Sequence, residues 1–246
     1  MKQSGFIPTL SNNMKISTSL ICCDLSDISS QLDTIIEHDN FNWLHADFMD
    51  NSLVPRLGIS PELIQSLRKR YGDRVVIDSH LMVKDPYTLA PVIAPYSDWY
   101  IFHYEATADP MRTLQMLRKS YPKLKIGLAF NILTSVHLDI LRPAYELGYL
   151  DGVMFMGISP GVLGTDSFTD EVENRIGLIR DNIRVLDVFV DGSVNFKSVG
   201  KYACYGADVC VSGSSMMFKR DDLTNDMSTT DMIEFNIKRI KDAIGK

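Results

Sequence analysis

From Lys15 onward the sequence repeats one alternation eight times: a short β-branched or apolar run, then a stretch with apolar residues three and four apart. The runs are Ile16–Ile21, Trp43–Asp47, Arg74–Ser79, Trp99–His103, Lys125–Phe130, Gly152–Met156, Val185–Val190 and Asp208–Ser212. Each is short and almost continuously apolar, as parallel strands buried on both faces are. Between them, patterns such as Ile28, Leu32, Ile35 and Ile36, or Leu63, Ile64 and Leu67, predict amphipathic helices. Ser60-Pro61 and Asp109-Pro110 read as helix starts, and Leu147-Gly148 and Tyr205-Gly206 as helix stops. Alternating strands and helices pair in parallel, and right-handed crossovers leave an open doubly wound sheet or a closed barrel. Eight units in 246 residues favour the closed form, an α/β (β/α)8 TIM barrel. The reading is one barrel domain over 15–246, preceded by an N-terminal arm over 1–14.

Composition narrows the function. Lys+Arg 25 against Asp+Glu 31 gives 25 − 31 = −6, with no basic block, so the electrostatic footprint of nucleic-acid binding is missing. No apolar run reaches the roughly 18 residues that span a bilayer, and the first residues lack a signal-peptide core, so a soluble cytoplasmic protein is expected. Cys22, Cys23, Cys204 and Cys210 have neither zinc-knuckle nor disulfide-framework spacing and read as reduced, mostly buried thiols.

A barrel carries its chemistry at the carboxyl ends of its strands. The second strand ends in His45-Ala46-Asp47-Phe48-Met49, where alternation puts His45, Asp47 and Met49 on one face. The third ends in Asp78-Ser79-His80-Leu81-Met82, with His80 and Met82 sharing a face, and the seventh in Val190-Asp191-Gly192. Two His and two Asp at matching depth suit Zn²⁺, Fe²⁺ or Mn²⁺. The same residues also read as ordinary turns beside a packed histidine, and spacing alone leaves both readings open. After the eighth strand, Ser212-Gly213-Ser214-Ser215 reads as a Gly-Ser turn entering a helix, whose backbone N–H groups suit an anion; Gly192-Ser193 supplies the neighbouring loop. Ser159-Pro160-Gly161-Val162-Leu163-Gly164 is placed to close over the same anion.

SLICCDL, HADFMD followed by VP, DSHLMV, FHYEA, MGISPG, FVDGS and VSGSS occur in order across Lys15 to Met217. In these motifs the chain resembles the ribulose-phosphate 3-epimerase family. Within it, KISTSLICCDL and VDGSVN look more like the D-allulose-6-phosphate 3-epimerase branch. The resemblance implies a phosphate-binding barrel that inverts the carbon beside a ketose carbonyl, with one divalent ion (Zn, Fe(II) or Mn) stabilising the enediolate. It implies His45, Asp47, His80 and Asp191 as metal ligands, with Asp47 and Asp191 as the acid/base pair on opposite faces. It implies Ser19, His80, Gly161 and Gly164 as substrate contacts, Met49, Met82 and Met156 as a sulfur-lined cap, and Gly192, Ser193, Gly213 and Ser214 as the phosphate site. Its members commonly form dimers or hexamers, so a homo-oligomer acting on a sugar phosphate is expected.

The chain departs from the family pattern in places. Asn51 stands where the family has Gly, Arg56 where it has Asn, and Asn131-Ile132-Leu133-Thr134 lacks a proline. The loop Ser159 to Phe168 is altered and carries Asp166, which would repel a phosphate if turned inward. That loop motivates the alternative of a catalytically altered barrel that binds a phosphorylated ligand without epimerising it.

Overall fold

A computed structural model describes residues 13–160, 169–220 and 227–245. Most of the expected arm lies outside the described residues, as do Gly161, Gly164 and Asp166. Of the arm, Met14 is buried, its sulfur 3.5 Å from Cys210 Sγ.

Eight parallel strands close in sequence order: β1 Lys15–Ser19, β2 Trp43–Met49, β3 Val76–Met82, β4 Trp99–His103, β5 Lys125–Phe130, β6 Gly152–Met156, β7 Asp187–Asp191 and β8 Val209–Ser212. Pairing of β1 with β8, from Lys15 opposite Val209 to Thr18 opposite Ser212, completes the ring and excludes the open sheet. The helices are α1 Ile28–Ile35, α2 Pro61–Tyr71, α3 Pro86–Ile93, α4 Pro110–Ser120, α5 Leu138–Glu146, α6 Thr169–Asn182, α7 Val199–Tyr205 and α8 Thr229–Ile244. None of them is long and apolar enough to cross a membrane.

The expected strand edges shift where local turns compete. The first strand stops at Ser19 because Leu20–Cys22 tightens into a 3-10 turn. The third starts at Val76, after a 3-10 turn over Gly72–Arg74, and runs on to Met82. Asp109 caps α4 by accepting the Arg112 N–H at 3.0 Å; Ser60 precedes Pro61 without a side-chain cap bond.

Alternation along each strand separates two cores. Leu44, Phe48, Ile77, Leu81, Tyr100, Phe102, Val188 and Val190 face outward and pack with the helices. Trp99, Ile101, Ala129, Met154, Phe189 and Val209 fill the barrel axis. A side chain at Gly152 would stand 2.9 Å from the Trp99 ring, so glycine there makes room for the indole.

Three similar staples tie strands at the amino-terminal rim. Arg68 on α2 reaches Asp98, just before β4, and Asp98 Oδ2 also accepts the Ile77 N–H of β3 at 2.7 Å. Arg118 on α4 and Asp151 repeat this with Ile126 N–H at 2.8 Å, tying β5 to β6. Arg180 on α6 and Asp208 repeat it with Val188 N–H at 2.7 Å, tying β7 to β8.

Candidate active site

Strand register assembles the site. Asp47 on β2 lies opposite His80 on β3, and His45 opposite Asp78, while Met156 on β6 lies opposite Asp191 on β7. His45, Asp47, His80 and Asp191 each offer one donor atom, and these atoms lie within 4.8 Å of one another. Asp47 Oδ1 is 3.1 Å from His45 Nε2 and 3.2 Å from His80 Nδ1; Asp191 Oδ2 is 3.7 Å and 3.4 Å from the same nitrogens. Two imidazole nitrogens and two carboxylate oxygens, converging from rigid strands with both imidazoles fully buried, form a donor set that fits a divalent cation.

Supporting groups fix these side chains. Asp78, fully buried, binds His45 Nδ1 and accepts the Ser17 hydroxyl, which leaves Nε2 as the ring atom that faces the cluster. Ser19 Oγ lies 3.4 Å from Asp47 Oδ2. On the far side of His80, Nε2 is 2.9 Å from His103 Nε2, and His103 Nδ1 is 3.2 Å from Glu105 Oε2.

The local field is strongly charged. Burial alone would depress the His45 pKa, yet Asp47, Asp78 and Asp191 hold it well above its ordinary value. His80 is likewise raised by Asp191 and Asp47 against burial. Burial pushes the Asp47 and Asp191 carboxyls up, but the facing imidazoles override it and hold both low. Asp78 moves the other way, raised by burial despite His45. Such clustered anions beside ring nitrogens are what a bound cation would balance.

Above the cluster opens a cavity of about 310 Å³, lined by Ser19, Cys22, Asp47, Met49, Arg56, Met82, Met156, Asp191, Gly192, Ser193, Gly213 and Ser214 among others. Asp47 and Asp191 thus reach the cavity, whereas His45 and His80 lie beneath its floor. Met49 and Met82 are paired in register and, with Met156, present sulfur to the wall. Gly192 has φ +82°, and a side chain on it would meet Ile158 Cγ1 at 2.5 Å. Ser193 follows at φ +56°, an uncommon region for a non-glycine residue, with its hydroxyl donating to Gly157 O at 2.8 Å. On the opposite turn a side chain at Gly213 would stand 2.8 Å from Cys22 Sγ. The segment after Gly213 is a tight turn through Phe218 rather than the expected helix start, with the Met216 and Phe218 N–H groups returning to Gly213 O.

Ser19, His45, Asp47, Met49, His80, Met82, Met156, Asp191, Gly192, Ser193, Gly213 and Ser214 therefore gather at one barrel mouth. Sequence reasoning assigned no part to Asp78, His103, Glu105, Cys22 or the Arg56 side chain. Asp78 was detectable in one respect: it shares strand parity with His80, two positions on, whereas His103 shares parity only with the barrel-axis residue Ile101. Asn51, which stands where the family has Gly, has φ +63°, a left-handed conformation that asparagine tolerates better than most residues.

Residues 15–217 match the family profile described as the ribulose-phosphate 3 epimerase family. The chain is 33% identical over 211 residues to a ribulose-phosphate 3-epimerase of Buchnera aphidicola, covering 83% of this chain and 88% of that one. It is 35% identical over 184 residues to that of Escherichia coli K12, covering 72% and 78%. Among solved structures it resembles 3-hexulose-6-phosphate synthase from Salmonella typhimurium (TM-score 0.64, 15% identity, 94% and 98% covered). It also resembles KGPDC from Streptococcus mutans (TM-score 0.60, 16% identity, 92% and 98% covered). At that identity the solved structures speak to the barrel fold alone.

Proposed function

The chain belongs to the ribulose-phosphate 3-epimerase family, and from that membership we propose that it epimerises a ketose phosphate at carbon 3 with one divalent metal ion bound at His45, Asp47, His80 and Asp191. One observation carries the reading: Asp47 and Asp191 each turn one oxygen toward both imidazoles and both line the same cavity. Each carboxylate is thereby divided, with Oδ1 of Asp47 and Oδ2 of Asp191 given to the cluster and the other oxygen left for a proton. They enter from β2 and β7, on different arcs of the ring, so they approach a carbon between them from two sides.

The bound cation would act as a Lewis acid, lowering the acidity barrier at the carbon beside the ketose carbonyl. Asp47 enters ionised and takes the proton from carbon 3, the C–H electron pair passing into the enediolate; Asp191 enters carrying a proton on the oxygen turned away from the cluster and gives it to the other face, forming the new C–H bond, and exchange with solvent resets the pair. The reverse reaction exchanges their roles. Ser19, hydrogen-bonded to Asp47, orients that carboxylate and contacts the sugar. Met49, Met82 and Met156 cover the planar intermediate with polarizable, water-excluding surface. The phosphate rests on the turns at Gly192-Ser193 and Gly213-Ser214, held by backbone N–H groups. Members of the family at 33% and 35% identity carry the name of the pentulose enzyme, which makes D-ribulose 5-phosphate the first substrate to test, giving D-xylulose 5-phosphate. D-Allulose 6-phosphate, giving D-fructose 6-phosphate, is the second.

The test is incubation of metal-loaded protein with each sugar in deuterated water. Deuterium is expected at carbon 3 of product, with kcat reduced about 100- to 10,000-fold in Asp47→Asn and Asp191→Asn. Absence of exchange with both sugars in fully metallated protein would overturn the reading in favour of a barrel that binds a phosphorylated ligand without epimerising it.

A further inference from the structure

His80 uses its two ring nitrogens differently. Nδ1 faces Asp47 and Asp191 at 3.2 and 3.4 Å, whereas Nε2 lies 2.9 Å from His103 Nε2. The two rings stack with centroids 5.0 Å apart, and His103, at the end of β4, is 1% exposed. His103 Nδ1 continues to Glu105 Oε2 at 3.2 Å. Glu105 Oε1 in turn accepts the Asn131 N–H at 2.9 Å and the Thr134 hydroxyl. The loop that supplies those donors is itself clamped, because Arg175 on α6 donates to the carbonyls of Asn131 at 2.9 Å, Ile132 and Thr134 at 3.0 Å. No step proposed above uses His103 or Glu105.

Proton counting gives this chain a direction. With a divalent cation in the cluster taking the place of the proton that Asp47 and Asp191 otherwise favour on His80 Nδ1, both imidazoles are neutral, and two neutral imidazole nitrogens that face each other share one proton, so one donates and the other accepts. At the outer end Glu105 receives donors on Oε1 and is an acceptor at Oε2 as well. The His103 proton therefore sits on Nδ1, which leaves its Nε2 a lone pair, and that lone pair takes the proton of His80 Nε2. His80 Nδ1 is then left with its lone pair aimed at Asp47 and Asp191. The plainer reading is a satisfied core histidine, in which the proton between the rings could lie either way; the fixed acceptor at Glu105 is what distinguishes the two.

We propose that His103 and Glu105 are positioning residues that hold His80 as its Nε2–H tautomer and so commit Nδ1 to a divalent cation. This rests on the metal reading of the site. Replacing Glu105 by Gln lets an amide NH₂ turn toward His103 Nδ1, which reverses every bond in the chain and puts a proton on the nitrogen that should hold the metal.

Two measurements test it. Long-range proton–nitrogen NMR of histidine-labelled, zinc-loaded protein should show His80 protonated at Nε2 and His103 at Nδ1. Competition of Zn²⁺ against a chelating dye should show affinity about 10- to 100-fold weaker in Glu105→Gln, partly recovered in Glu105→Asp. Wild-type His103 protonated at Nε2, or Glu105→Gln affinity within about threefold of wild type, would overturn the proposal. If Glu105→Gln does not fold, the wild-type spectrum decides alone. A wild type that takes up no Zn²⁺ or Mn²⁺ removes the metal reading itself, whereas one that binds metal with the wrong His103 tautomer removes only the relay.

Discussion

Gly58 sits in the loop that returns from β2, its N–H bonded to Met49 O at 2.9 Å and the next N–H to Asp47 O at 3.0 Å. A methyl group there would stand 2.2 Å from Asp47 O and 2.6 Å from Met49 N, both backbone atoms of the strand that carries the site. Gly58→Ala is expected to destabilise the protein by about 1–3 kcal/mol, read from the urea midpoint, and to lower activity because Asp47 moves with its backbone. The same loop pins Arg56 through its N–H to Val54 O at 2.8 Å and its carbonyl to Asn51 N at 3.0 Å. Arg56 is the one basic side chain among the described residues lining the cavity, which makes it a cation presented to an anionic ligand. Arg56→Met should raise KM for the sugar phosphate about tenfold or more with kcat little changed. Glu105 adds a pH signature. Burial would raise its carboxyl, but His103 and Thr134 hold it down at about 2, so its stabilising contribution is complete above the ordinary carboxylate range near 4.5 and is lost as pH falls through about 2. The stability difference between wild type and Glu105→Ala should therefore be flat above about pH 5 and shrink on acidification. At this scale the convergence of His45, Asp47, His80 and Asp191 was legible, because strand parity and His/Asp chemistry both show in the order of residues. Gly58 and Glu105 were not, since what constrains them is a backbone or a ring brought close only by the closed fold.

At the scale of elements, alternation alone located all eight strands, and the misses were edges. The sequence at Leu20–Cys22 is as apolar as the strand before it, so nothing in its pattern announces the 3-10 turn that ends β1. The staples were illegible for a different reason: Arg68 and Asp98, Arg118 and Asp151, Arg180 and Asp208 are 30, 33 and 28 positions apart, and only the barrel brings them together. Each aspartate joins an arginine and a strand N–H, so losing it strands two donors at once. Asp151→Ala is expected to cost about 1–3 kcal/mol. Asp187→Ala, which removes the half-exposed pair with Lys125 at 3.3 Å, should cost about 1 kcal/mol or less. Chemical denaturation of the two variants separates these cases. A fourth, weaker version joins β1 to the turn before β2, where Lys15 Nζ meets Asn40 Oδ1 at 2.5 Å. Pairs of strands, rather than single strands, are thus the repeating unit of the lower rim.

For the whole molecule, the count of eight distinguished a closed ring from an open sheet, and the β1–β8 register bears that out. The formal charge of −6 excluded little by itself, but its placement matters: Asp47, Asp78 and Asp191 gather at one end, around two imidazoles. A cation held there couples to global stability, since only the folded chain assembles its ligands. At about 100 times its dissociation constant the metal should add about 2.7 kcal/mol, raising Tm by about 5–10 °C over chelator-treated protein in a thermal melt. Closure also sets a schedule for synthesis. Every residue of the His/Asp cluster has been made once Asp191 leaves the ribosome, yet the strand that seals the ring begins at Val209, paired to Lys15 made 209 − 15 = 194 residues earlier. Until that segment emerges, β1 and β7 each present an open edge of the kind that recruits strands from other chains. The nascent protein therefore passes through an interval in which its clustered His and Asp residues exist but its barrel does not, and shielding by chaperones matters most in that interval.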